Sequence, residues 1–224
     1  LVGDSVGMVY AGYENTIPVT IDEIIYHAKA VNRKTKNALL VVDMPFMSFQ
    51  INSEETLRNA GRILKESGAE SVKMEGGKEI IESVLRCVNA GIPVMGHLGL
   101  TPQSIHQFGN YRVQAKSKKA KEKLIRDALE LQEAGCYAIV LEKIPALLAK
   151  EVTEKLKIPT IGIGAGKYTD GQILVTYDML GMFEDFHPKF VRQYINLAKE
   201  IKTTISQYVK DVKTNSFPSD KESF

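Results

Sequence analysis

A fold of parallel strands alternating with helices, wound into a closed barrel, is what this sequence predicts, and two observations predict it. The first is a recurring unit: short runs rich in β-branched and aliphatic residues alternate with longer stretches whose apolar residues recur at helical spacing. The second is where the polar residues fall. Leu1-Val2-Gly3 ends in Asp4-Ser5, the run from Ala38 to Val42 ends in Asp43, and Val72-Lys73-Met74 ends in Glu75. Val94-Met95-Gly96 ends in His97, and the run from Ala138 to Leu141 ends in Glu142. Thr160 to Ile163 runs into Gly164-Ala165-Gly166, and Ile173 to Val175 leads to Asp178, which completes seven candidate strands. A parallel barrel builds its site from the C-terminal ends of several strands, whereas a doubly wound sheet concentrates it at one glycine-rich crossover. Gly162-Ile163-Gly164-Ala165-Gly166 lacks a full dinucleotide spacing and comes late in the chain, which disfavours the open sheet.

The 224 residues suit a single barrel domain over 1–224, and no linker or internal repeat divides them. A formal net charge of +2 provides no field to attract nucleic acid or an anionic membrane, so neither is expected as a partner. No apolar run approaches the roughly 18 residues of a membrane span. Cys87 and Cys136 lack metal-ligand spacing and are expected as free buried thiols of a reducing compartment.

Taken in order, the glycine- and aromatic-rich loop from Gly7 to Thr16 follows Asp4-Ser5 and is expected over the site. Thr20 and Glu23 form a capping box for a helix whose stripe is Ile21, Ile24, Ile25, Ala28 and Val31. His27 on that helix reads as a surface residue. In Met44-Pro45-Phe46-Met47 the proline stops the strand, and the apolar residues either pack the rim or cover a ligand. Asn52 and Glu55 cap the next helix, which Gly68 ends. Past Glu75, Gly76-Gly77 free the backbone to leave the strand, and a helix through Ile80, Ile81, Val84, Leu85 and Val88 stops at Gly91. The connection from Leu98 to Gln114 has the length of a binding loop. It leads to Lys116, Lys118, Lys119, Lys121 and Lys123 at a helix start, read as a solvated face, with attraction of an anionic group as the alternative. Helices over 145–156 and 189–213 complete the pattern.

Lys73 and Glu75, two apart on a strand, share one face. Buried there, they require a metal, a substrate anion or each other as a simple ion pair. In a barrel, Asp4, Asp43 and Glu75 bring carboxylate oxygens from three strands, a donor set that suits magnesium. Lys73 offers a positive charge to a substrate carboxylate, Ser5 offers a hydroxyl, and Glu142 is free to act as a base. Together these groups point to proton abstraction next to a carbonyl, with the metal stabilising the developing enolate.

Five strings carry a resemblance: Leu1-Val2-Gly3-Asp4-Ser5-Val6-Gly7-Met8, Val42-Asp43-Met44-Pro45-Phe46, Val72-Lys73-Met74-Glu75-Gly76-Gly77, Gly96-His97-Leu98-Gly99-Leu100-Thr101-Pro102-Gln103 and Ile161-Gly162-Ile163-Gly164-Ala165-Gly166. In this order they closely resemble the ketopantoate hydroxymethyltransferase family, and the resemblance extends to Ser216-Phe217-Pro218. It implies magnesium at Asp4, Asp43 and Glu75, ketoacid contacts at Asp4, Ser5, Asp43 and Lys73, and Glu142 as proton acceptor. The implied reaction moves a one-carbon unit from 5,10-methylenetetrahydrofolate to 3-methyl-2-oxobutanoate (α-ketoisovalerate), giving ketopantoate for pantothenate synthesis. A cytoplasmic homo-oligomer, a decamer, is implied as well. The family's TIM barrel carries a strand and helix ahead of the position of Leu1, so the chain is expected to be a piece of a longer product. Asn110 stands where the family has glycine, and the tail lacks a family histidine. Two rivals remain: a lyase or mutase on the same barrel, whose cysteine-bearing loop motif is absent here, and a catalytically inactive barrel retained as a subunit.

Overall fold

In the computed structural model, which describes residues 1–183 and 188–224, six strands pair in parallel in the order in which the chain makes them. They are β1 Val41–Asp43, β2 Ser71–Glu75, β3 Val94–Gly99, β4 Ala138–Glu142, β5 Thr160–Ile163 and β6 Gly171–Gln172. Between them run α3 Ser53–Ser67, α4 Ile81–Asn89, α6 Lys118–Glu133 and α7 Ala146–Lys155; α1 Val6–Val9 and α2 Ile21–Asn32 precede β1, and α5 Ile105–Phe108 lies in the connection after β3. All of these belong to one compact unit, Leu1–Ile173; α8 Thr176–Met179 and α9 Leu197–Lys213 belong to a second, Leu174–Phe224.

Strand alternation decides what each face of the sheet does. Val42, Val72, Met74, Val94, Leu98, Ile139 and Leu141 point one way and share a buried cluster with Ala60, Ile63, Val84, Cys87, Leu131 and Ala149 from the helices. The alternate positions Asp43, Lys73, Glu75, His97 and Glu142 point the other way. Helices on one face, strands in unbroken chain order and polar groups on the opposite face are what a partial (β/α)8 barrel requires. A doubly wound sheet would reverse its order and cover both faces.

Local signals behave as their chemistry dictates. Glu23 N donates to Thr20 Oγ1 at 3.3 Å and Thr20 N donates to Glu23 Oε2 at 2.7 Å, which closes the capping box of α2. Asn52 Oδ1 accepts from Glu55 N at 2.8 Å, and α3 ends on Gly68 at φ 75°.

Several expectations need correction. Leu1 to Gly3 contributes only an isolated parallel bridge, Val2 to Val42, rather than a strand. The sixth strand is Gly171–Gln172 and not Ile173 to Val175, because Asp170 reaches back to Thr160 N (2.8 Å) and sets the pairing two residues earlier. Asp178 therefore lies in α8 and ends no strand. The last helix begins at Leu197, not Lys189: Tyr194 N donates to Met179 O and Leu197 N to Leu180 O, and Asn196 supplies the cap through its bond from Lys199 N (3.0 Å). Val31 and Leu85, read as stripe residues, are exposed. Among the described residues six strands are present, so eightfold closure is not seen.

Candidate active site

The strand register brings the polar ends together. Asp43 pairs in register with Lys73, and Glu75 with His97, so four side chains from three adjacent strands meet on the face away from the helices. Lys73 Nζ lies 2.9 Å from Asp43 Oδ1 and 3.1 Å from His97 Nδ1. His97 Nδ1 is 3.3 Å from Glu75 Oε1, and His97 Nε2 is 3.3 Å from Glu142 Oε2. Nδ1 thus stands between an ammonium donor and a carboxylate acceptor, and its own proton decides which of them it bonds. Asp4 joins through its backbone N, which donates to Asp43 Oδ2 at 3.1 Å. Ser5 faces the same space: a Cβ on Gly3 would lie 3.1 Å from Ser5 Oγ and 3.2 Å from Asp43 Oδ2.

Burial alone would neutralise these groups, and their mutual contacts decide otherwise. Burial pushes Lys73 down, but Asp43, Glu75 and Asp4 outweigh it and hold the ammonium charged. Burial pushes Glu75 up, and the bond from His97 with the charges of His97 and Lys73 brings it below the usual carboxylate range. For His97, burial and Lys73 push down while Glu142 and Glu75 prevail, leaving its pKa raised. Asp4 goes the other way: burial and the negative charges of Asp43 and Glu75 raise it well above the usual range.

Every site residue named from the sequence, Asp4, Ser5, Asp43, Lys73, Glu75 and Glu142, falls in this one region. The lysines of Lys116 to Lys123 do not join it; they are exposed around the start of α6, where Lys123 pairs with Asp127. Two residues had been given no role. The sequence marks His97 only as a polar strand end, yet it lies between Glu75 and Glu142, 3.3 Å from each. Gln103 was one letter in a motif, yet it is buried and bonded to both Asp4 and Glu75. No local pattern announces either role, since both depend on partners at least 20 residues away in sequence.

A family model described as ketopantoate hydroxymethyltransferase matches residues 1–220. The chain belongs to the ketopantoate hydroxymethyltransferase family. Among its curated relatives is a protein of Cytophaga hutchinsonii named 3-methyl-2-oxobutanoate hydroxymethyltransferase, 58% identical over 224 residues, covering 100% of this chain and 82% of the relative. A protein of Flavobacterium johnsoniae with the same name is 56% identical, with the same coverage. Among solved structures, a Burkholderia cenocepacia J2315 protein assigned as a lyase/mutase aligns at TM-score 0.52 with 10% identity, over 96% of this chain and 74% of that one. At that identity the likeness concerns the fold alone.

The atoms of this cluster bear on whether a cation fits it. Asp43 Oδ1 is buried and has no aligned hydrogen bond, for all its closeness to Lys73. Three buried carboxylates, Asp4, Asp43 and Glu75, lie around the Lys73 ammonium, and burial, then the charges of Asp43 and Glu75, raise Asp4. The donors are all carboxylate oxygens, the kind a hard divalent cation prefers. Among the described residues no group of three or more His, Cys, Asp or Glu side chains already converges on a metal position. The site therefore fits a cation in donor type and charge, with convergence of the donors left to binding.

Proposed function

We propose that the chain is a cytoplasmic, homo-oligomeric hydroxymethyltransferase, assembling as a decamer. It moves the one-carbon unit of 5,10-methylenetetrahydrofolate to 3-methyl-2-oxobutanoate and yields ketopantoate for pantothenate synthesis. The observation that carries the chemistry is the contrast among its carboxylates. Asp43 and Glu75 are sealed, with side chains 6% and 4% exposed, while Glu142 at the end of β4 retains 17%. It is the most exposed of the three. The names carried by the relatives support the activity.

Lys73 keeps its charge in a dry site and would receive the ketoacid carboxylate beside Ser5. A magnesium ion held by Asp4, Asp43 and Glu75 would polarise the keto group and stabilise the negative charge that develops on its oxygen. Glu142 takes the proton from C3, with His97 Nε2 3.3 Å from its Oε2. Water releases the one-carbon unit at the formaldehyde level, both carbon–nitrogen bonds to the folate breaking as its nitrogens take the protons of water; the electron pair at C3 adds to that carbonyl carbon, and the alkoxide formed takes back the proton held by Glu142 to give the hydroxymethyl group.

The direct test is product analysis after incubation with 3-methyl-2-oxobutanoate, 5,10-methylenetetrahydrofolate and magnesium. Ketopantoate forming only when all three are present is expected. Its absence, with the ketoacid recovered unchanged from a folded and metal-supplemented protein, would contradict the assignment.

A further inference from the structure

Gln103 makes four directed contacts at the site, and each contact uses a different capacity of the residue. Its backbone N donates to Glu75 Oε2 at 3.0 Å; its Nε2 donates to Asp4 Oδ2 at 2.8 Å and to Met44 O at 2.8 Å; its Oε1 accepts from Gln50 Nε2 at 3.0 Å. The free backbone donor follows from position. Gln103 lies in the 3-10 turn Pro102–Ser104, whose first N–H groups have no partner within the turn. The carboxamide can face only one way. Turned over, it would set Oε1 against a carboxylate and a carbonyl, and the Gln50 amide against another amide nitrogen. Gln50 therefore fixes the orientation in which Gln103 presents both its protons to Asp4 and Met44.

The residue type also matters. The two carboxylates come from separate elements, Asp4 beyond the Val2 bridge and Glu75 at the end of β2, and left to themselves they repel. A lysine or arginine in place of Gln103 would neutralise them and compete with any metal. Gln103 binds Glu75 through its backbone N–H and Asp4 through its carboxamide, each at a single oxygen and with no added charge, so it orders the pair and leaves its negative charge in place. We propose that Gln103 is a positioning residue that sets the spacing and direction of the Asp4 and Glu75 carboxylates for a divalent cation, with Gln50 locking its amide. This rests on the magnesium-dependent reading above and deepens it by adding the residues that shape the cation site.

The test uses Mn2+ alone as the probe, with its dissociation constant measured by electron paramagnetic resonance on the full chain. Thermal unfolding is followed on the same samples. Partners that hold metal ligands in place typically change affinity about 10- to 100-fold when removed. Gln103→Met, which keeps the side-chain volume and the backbone N–H to Glu75 but loses the carboxamide bonds to Asp4 and Met44, is expected to weaken Mn2+ at least about 10-fold, and Gln103→Ala comparably. Gln50→Ala, at an exposed position, should weaken it by a smaller factor, roughly threefold, and carries the test if the Gln103 variants do not fold. Folded variants whose Mn2+ affinity stays within twofold of the parent, whatever their melting temperature, would overturn the positioning role. A parent chain that binds no Mn2+ would instead overturn the magnesium-dependent reading beneath it, and the assignment to Gln103 with it.

Discussion

Lys73 is an ammonium with 5% of its side chain exposed, kept charged by Asp43, Glu75 and Asp4. Removing one partner of a buried charge cluster leaves the others uncompensated, which costs about 3–5 kcal/mol. Lys73→Met is therefore expected to lower the unfolding free energy by roughly that amount in urea titrations; a loss below about 1 kcal/mol would show that water reaches these carboxylates. The two thiols give a pH prediction. Burial pushes Cys87 from 9.0 up to about 11 and Cys136 from 9.0 up to about 12. Above pH 9 the unfolded chain loses these protons while the folded chain keeps them, so their contribution is intact below pH 9 and fades as pH rises towards 12. Denaturation midpoints should fall across that window and Cys→Ser variants should fall less steeply; parallel curves would contradict the burial argument. At this scale the spacing of Lys73 and Glu75 was legible, because alternation along a strand is local. The link from His97 to Glu142 was not, because it depends on the register between β3 and β4.

Elements show the same division. The caps at Thr20 and Asn52 and the stop at Gly68 were legible because each is decided within four residues. The pairing of β6 and the start of α9 were not: Asp170 to Thr160 and Tyr194 to Met179 are contacts between separate segments, and they override a local apolar run. Gly99, the last residue of β3, marks where an element controls the site. Its φ is +101°, and a Cβ there would stand 2.1 Å from Glu142 O, the carbonyl that accepts from Leu100 N at 2.8 Å. Gly99→Ala should thus force β3 and β4 apart exactly at the proposed base. The expected cost is about 1–3 kcal/mol of stability from the backbone conformation alone, with a fall in kcat larger than the change in ketoacid KM. Normal kcat in a destabilised Gly99→Ala protein would separate the strand geometry from the placement of Glu142.

For the molecule as a whole, the legible part was the class of fold and the end of the sheet that carries the site. Alternating strands and helices fix a parallel sheet, and polar residues recurring at strand ends mark its functional side. The extent of the sheet was less legible, since Leu1 to Gly3 and Ile173 to Val175 have strand composition and yet supply one bridge and no strand. The face opposite the helices gathers strand-end groups into one site, in which Glu142 is the group proposed to remove the C3 proton of a ketoacid. Exchange of that proton with deuterium oxide, followed by proton NMR of 3-methyl-2-oxobutanoate with magnesium and no folate, tests this most directly. The parent chain should exchange C3, and Glu142→Gln should lower the exchange by a factor of about 100 or more while the ketoacid still binds. Exchange in Glu142→Gln at the parent rate would contradict the claim.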